Sequence, residues 1–245
     1  MMETKTVGYF DDWNVRFRSG TIAPDSIPGQ LGAVVLREIA ALPVKKTRFV
    51  EIGCGTGWLA EHLTDSDGYF GLDLSPAAIK VAQDRLPQAR FVAANFLEWD
   101  FKGEKFDVGL LIDSITSFSD QDSAISKIGE LLEVSSYFVL TSVNPFVYSR
   151  ISSVGPPSEG QVRKWLSRTA LTALLRRHGF QLMKLYTIMP GGDRGILRWV
   201  NSRKINRMVR TIVPEVKVTK AKEMAGLGRY FIVVARKIGK GSYKA

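Results

Sequence analysis

Cysteine is almost absent. Cys54 is the single one in 245 residues, so no intrachain disulfide can form. Histidine is nearly as scarce, and His62, His178 and Cys54 follow no zinc-ligand spacing, so no metal site is expected. No apolar run reaches the roughly 18 residues of a membrane-spanning helix. The opening residues Met1 to Thr6 lack the charged-then-apolar order of a secretory signal, so the expected location is cytoplasmic. Acidic residues run short in the second half. Residues 144–245 hold 4 Asp/Glu against 21 Lys/Arg, a net of +17, whereas residues 1–143 hold 20 against 13, a net of −7. That asymmetry points to an anionic partner near the second half, or to a well-solvated basic face.

What is present fits an ordinary globular chain, with 45% hydrophobic and 24% charged residues. The length suits one large α/β domain with a small appendage. Tyr9, Phe10, Trp13 and Phe17 fall at roughly helical spacing, before Pro24 and Pro28 mark a turn-rich stretch over 21–29. Leu31 to Leu42 then reads as an amphipathic helix stopped by Pro43. Residues 1–42 are therefore expected to form an N-terminal helical cover and first helix, and residues 43–245 the core.

From there short apolar runs alternate with helical patterns: 48–52, 58–63, 68–73, 76–86, 89–93, 106–112, 122–132 and 137–142. This alternation predicts repeated βαβ units, a parallel sheet between two helical layers, with ligand at the strands' carboxyl ends. A helix over Arg163–His178, a strand over Phe180–Ile188 and a last strand over Arg229–Lys237 follow. Between those strands, residues 192–226 form a basic helical insert. Ile205, Met208, Val209 and Ile212 recur there at helical spacing among Arg194, Arg198, Arg203, Lys204, Arg207 and Arg210.

The first strand leads into Gly53, Gly55 and Gly57, residues suited to a tight turn that leaves room for a ligand beside a helix start. The dinucleotide pattern would require glycine where Trp58 stands, and the chain contains no G-x-x-x-x-G-K-[ST] phosphate loop. Val50-Glu51-Ile52-Gly53-Cys54-Gly55-Thr56-Gly57 resembles the first motif of class I S-adenosylmethionine-dependent methyltransferases. Gly71 to Ser75, Phe91 to Phe96 and Phe106 to Asp113 resemble that family's next three strand ends, so the likeness spans about residues 48–142. It implies a Rossmann-like three-layer sandwich with a seven-stranded, mostly parallel sheet, and S-adenosyl-L-methionine as cofactor.

The expected cofactor-binding residues are Glu51, Gly53, Cys54, Gly55, Gly57, Asp73, Leu74, Asn95, Phe96 and Asp113. Asp73 can accept from both ribose hydroxyls, its alternative being a helix cap. The resemblance assigns Glu51 to the methionine end, and a carboxylate holding the loop together is the competing reading. Asn95 could meet an adenine edge and Phe96 its face, although Phe96 also suits the core. By the same resemblance Asp113 lies near the transferred methyl and is the catalytic candidate, by positioning, against a turn-capping role. Cys54 as a nucleophile and His62 or His178 as a base are weaker readings. Tyr9, Trp13 and Tyr148 are expected around the acceptor, with a latch that encloses the cofactor and excludes water as the alternative for the Tyr9/Trp13 pair.

A sulfonium already activates its methyl, so positioning supplies much of the catalysis. The leading expectation is methylation of an oxygen or nitrogen on a small molecule, with an anionic or lipid-linked acceptor in view. Asn144-Pro145-Phe146 resembles the Asn-Pro-Pro-aromatic motif of amino-methylating enzymes but follows strand five, where that motif follows strand four, so nucleic acid is the less favoured partner. The alternative is an RNA methyltransferase or a non-catalytic RNA-binding protein using the basic half, though Trp199 alone makes a poor base-stacking surface. Peripheral membrane contact through residues 192–212 is a further possibility raised by the pattern.

Overall fold

The computed structural model describes residues 5–12, 23–44, 47–63 and 68–238. Its strands are β1 (Arg48–Ile52), β2 (Gly68–Asp73), β3 (Arg90–Ala93), β4 (Phe106–Leu111), β5 (Leu132–Val143), β6 (Phe180–Pro190) and β7 (Gly228–Lys237). The helices are α1 (residues 5–12), α2 (Ile27–Ala40), α3 (Pro76–Arg85), α4 (Gln121–Leu131), α5 (Pro145–Tyr148), α6 (Arg168–Arg177), α7 (Ile196–Val200), α8 (Arg203–Arg210) and α9 (Glu215–Met224). One sheet runs β3-β2-β1-β4-β5-β7-β6. β1 to β5 are parallel, and β7 lies antiparallel between β5 and β6. The expected seven-stranded, mostly parallel sheet is present.

Side chains alternate across this sheet with the period of two that pleating imposes. Phe49, Tyr69, Val139 and Ile232 join the layer containing Leu31, Val35 and Ile39 of α2 and Ile79 and Ala82 of α3. Val50, Phe70, Phe138, Phe231 and Val233 join the opposite layer, with Ile125 and Ile128 of α4 and Leu171 and Leu175 of α6. Covered on both faces, the strands read as near-continuous apolar runs. Phe138 and Phe180, both fully buried, stack at 5.1 Å between centroids, and each such burial contributes about 1.5–3 kcal/mol.

Three boundaries differ from expectation. α2 starts at Ile27, because Ser26 accepts from the Gly29 amide and Pro28 occupies the first turn, where its missing N–H costs nothing. α6 starts at Arg168 with Ser167 as its cap, leaving 163–167 extended along a cavity wall. The helix expected over Trp58–Leu63 is a tight turn with a three-residue 3-10 segment, Ala60–His62. Its amides reach back three residues, His62 to Leu59 and Leu63 to Ala60. Among the described residues the glycine loop therefore leads into a 3-10 turn and not into an α-helix.

Candidate active site

The loop after β1 is built by close approach. Gly53 takes φ 75°, and a Cβ there would lie 2.6 Å from Ser114 Oγ, on the turn that follows β4. The amides of Gly53 and Cys54 donate to the Leu72 carbonyl at 2.7 and 3.2 Å, which ties the loop to the end of β2. Gly57, at φ 69°, serves packing: its Cβ would lie 2.9 Å from Phe91 and 3.0 Å from Ala82. Asp73 clamps the assembly. Its Oδ2 accepts from the Gly55 amide at 2.8 Å and its Oδ1 from the Ser75 amide at 2.9 Å. A carboxylate at this strand end is acceptor-only, the chemistry that ligand hydroxyls require.

The strand ends open into a cavity of about 700 Å³. Of the expected residues it is lined by Gly53, Gly55, Asp73, Leu74, Asn95, Phe96, Asp113, Tyr9 and Tyr148. Glu51, Cys54 and Gly57 lie behind that wall, and Trp13 falls outside the described residues. Glu51 is buried beneath the loop, where its carboxylate accepts from the Tyr69 hydroxyl. Burial pushes the Tyr69 phenol well above its usual range, and the Glu51 charge pushes it further. Cys54 is a packing residue. Burial, then the Asp73 and Glu51 charges, raise its thiol well above the ordinary value, the reverse of what a nucleophile requires.

Asn95 holds a turn as well as lining the cavity: its Oδ1 accepts from the Leu97 amide at 3.1 Å and its Nδ2 donates to Glu98 at 2.9 Å. Phe96 serves both wall and core, meeting Phe101 and Phe118 edge-on at 6.0 Å. Asp113 sits at φ 57°, a left-handed conformation costly for a residue with a Cβ, and its amide donates to Thr141 Oγ1 at 2.8 Å. Such strain of about 1–3 kcal/mol persists where surrounding structure enforces it, and it clusters at functional sites.

The far wall contains residues that sequence reasoning missed: Arg163, Trp165 and Tyr230. The Tyr148 and Tyr230 hydroxyls are hydrogen-bonded at 2.6 Å, and the Trp165 ring stands 6.0 Å from that of Tyr148. Burial pushes the Tyr148 phenol up, against the lowering effect of its bond to Tyr230, while the Asp113 charge pushes it further up. Arg163 donates to the Gly155 carbonyl at 2.6 Å and to Gln161 at 2.8 Å. Tyr230 could not be found from its own neighbourhood in sequence. It reaches the site because β7 pairs with β5, which sets it opposite Val143.

Thr6, Tyr9 and Phe10 of α1 form the roof. Asp11 fastens that helix to the start of α3, accepting from the Ser75 hydroxyl and from the Ala77 amide at 3.2 Å. Lys5 pairs with Glu159 at 2.7 Å on the other side. His62 and His178 do not line the cavity, which removes both as bases for chemistry there. Asn144 is a structural cap, its Nδ2 donating to the carbonyls of Gly226 at 2.9 Å and Gly228 at 2.8 Å, and its Oδ1 accepting from the Phe146 amide.

A mostly parallel α/β sheet whose first loop and second strand-end carboxylate open into one cavity has the architecture in which α/β proteins hold ligands at their strands' carboxyl ends. A family model described as a methyltransferase domain matches residues 27–185, and the chain belongs to the class I S-adenosylmethionine-dependent methyltransferases. It is 32% identical over 103 residues to a Mycobacterium ulcerans protein named "probable phthiotriol/phenolphthiotriol dimycocerosates methyltransferase 2", covering 40% of each chain. It is 26% identical over 197 residues to an O-methyltransferase of Aspergillus nomiae, covering 74% of this chain and 82% of that one. The chain thus spans less than half of the first relative and most of the second. In fold it resembles the magnesium protoporphyrin IX methyltransferase of Synechocystis, solved with its methyl donor, at a TM-score of 0.61 and 14% identity over 97% of both chains.

S-adenosyl-L-methionine is the cofactor of that family. The donor set fits that cofactor: an acceptor-only carboxylate at Asp73, apolar Leu74 and Phe96 beside Asn95, and backbone at Gly53 and Gly55.

Proposed function

We propose that this enzyme methylates an oxygen on an apolar small molecule, lipid-linked and bearing a negative charge, and that nitrogen is its second-choice acceptor. The carrying observation is the wall of Tyr148, Trp165 and Tyr230, with Arg163 beside it, in the same cavity as Asp113. Aromatic faces suit an apolar acceptor, and Arg163 suits an anionic group. S-adenosylmethionine supplies a methyl group already activated on sulfonium. Asp73 is assigned the ribose hydroxyls, Leu74, Asn95 and Phe96 the adenine, and Gly53 with Asp113 the methionine end. Glu51 supports this from behind, as buried negative charge beneath the loop. Asp113 would take the acceptor's hydroxyl proton as that oxygen gained the methyl group and the methyl–sulfur bond broke, leaving the donor as a neutral thioether; its carboxylate also raises the Tyr148 phenol electrostatically.

The named activity of the Aspergillus nomiae relative, an O-methyltransferase, supports an oxygen acceptor. The RNA reading has less behind it, since both Asn144 amide protons are held by backbone carbonyls. Incubation with methyl-labelled donor, a panel of long-chain phenols, quinols and amines, and RNA tests the proposal. Label in phenol or quinol product supports it, whereas label in RNA or amines alone overturns it. Asp113→Asn should lower kcat by about a hundredfold.

A further inference from the structure

The insert between β6 and β7 is folded inside out for a helix that packs on its own protein. On α8 and the turn that follows it, Ile205, Met208, Val209 and Ile212 recur at helical spacing along one stripe, and Arg203, Lys204 and Arg207 occupy the other side. A helix with that pattern ordinarily turns its stripe to the core. Here Met208 is 69% and Ile212 84% exposed. Polar contacts do the anchoring instead: Asn206 donates to the carbonyls of Val200 and Ser202, and Lys222 of α9 donates to Asn206 and Asn201. The neighbouring α7 repeats the arrangement. Leu197 is fully buried and packs on Gly192, while Ile196 and Trp199 stand 64% and 70% exposed.

The charge around this apolar surface has one sign. Residues 192–226 hold nine Lys/Arg and three Asp/Glu. Arg194, Arg198, Arg203, Lys204 and Arg207 are exposed, and none takes part in the ion pairs formed among the described residues. A second copy of this chain would bring the same positive charge against it. Nucleic acid would leave Ile196, Met208 and Ile212 in water, with Trp199 as the sole aromatic to stack. Exposed apolar side chains ringed by uncompensated cations match an anionic lipid surface, which takes the former into its acyl boundary and the latter among its headgroups.

We infer that α7 and α8 form an interfacial docking surface for anionic membranes. The surface is coupled to the active site through its first residues. Asp193 accepts from the Ser152 amide at 2.8 Å and from the Ser152 hydroxyl, and the Asp193 and Arg194 amides donate to the Arg150 carbonyl. The next residues, Ser153, Val154 and Gly155, line the cavity. Docking of the insert therefore sets the cavity's rim at the lipid surface. This inference rests on the insert alone, independent of which acceptor the enzyme methylates.

Co-sedimentation of the full chain with vesicles tests it. Vesicles of phosphatidylcholine containing about a third phosphatidylserine should pellet the protein, and pure phosphatidylcholine should not. Arg203→Glu with Arg207→Glu should lower the partition by about fivefold or more per charge removed. Met208→Ser with Ile212→Ser should lower it about tenfold or more while leaving donor binding by calorimetry at the wild-type value, which controls for folding. Trp199 emission should shift to the blue on anionic vesicles, read as the difference from Trp199→Phe. The inference is overturned if wild type does not pellet, if Met208→Ser with Ile212→Ser pellets like wild type, or if RNA competes the protein off vesicles and binds it more tightly.

Discussion

At Asp73 one carboxylate does two jobs that pull in the same direction. It holds the Gly55 and Ser75 amides in place and lines the cavity at the end of β2. Asp73→Ala should raise the donor's Kd by about ten- to a hundredfold in calorimetry, because charged hydrogen bonds of about 1.5–3 kcal/mol are lost. Unchanged affinity would remove the ribose assignment. Cys54 should stay unreactive toward a disulfide reagent in the native enzyme from neutral pH up to the ordinary thiol pKa. Its folded-state pKa is raised, so the thiolate forms only above that range, and denaturant should release the thiol at once. Gly57→Ala should cost about 1–3 kcal/mol in urea unfolding, since the new methyl meets Phe91 and Ala82. That Asp73, Asn95 and Asp113 lie at strand ends and line one cavity was expected from the family resemblance of the segments that carry them. The second duty of each was not, since Gly55, Glu98 and Thr141 meet them only in the folded chain.

Among the elements, α1 is the one whose role depends most on a single contact. Asp11 joins it to Ser75 and Ala77 at the start of α3, close to Asp73. Asp11→Ala should speed donor dissociation several-fold in stopped-flow traces while leaving the thermal midpoint near that of wild type, because a half-buried contact at a helix start contributes only about 1 kcal/mol. An unchanged dissociation rate would mean that the cover does not retain the donor. The strands of the core were legible in the sequence, since burial on both faces leaves near-continuous apolar runs in β1, β2 and β4. Trp58–Leu63 was misread as a helix: its apolar spacing reflects contact with α2, where Gly32 faces Trp58, and not helical periodicity. The start of α2 was hidden by Pro28, which breaks a helix in its middle but suits its first turn.

For the molecule as a whole, the decisive strand is the last. β7 lies between β5 and β6, and its Phe231, Ile232 and Val233 are buried in both layers. A chain ended after residue 226 should fail to fold, giving no cooperative unfolding transition, because β6 would lose its only partner among the described residues. Soluble, cooperative folding of that piece would contradict the assignment of the core. The sequence by itself determined the fold class, the glycine loop, the strand-end carboxylate and the uneven charge, all of them local in the chain and governed by backbone geometry, periodicity and counting. Only the tertiary structure decided that Tyr230 and Trp165 join Tyr148, that Glu51 and Cys54 lie behind the loop, and that the apolar stripe of α8 faces outward. Those outcomes depend on sheet order and on which face a helix buries, and residues far apart in sequence settle both.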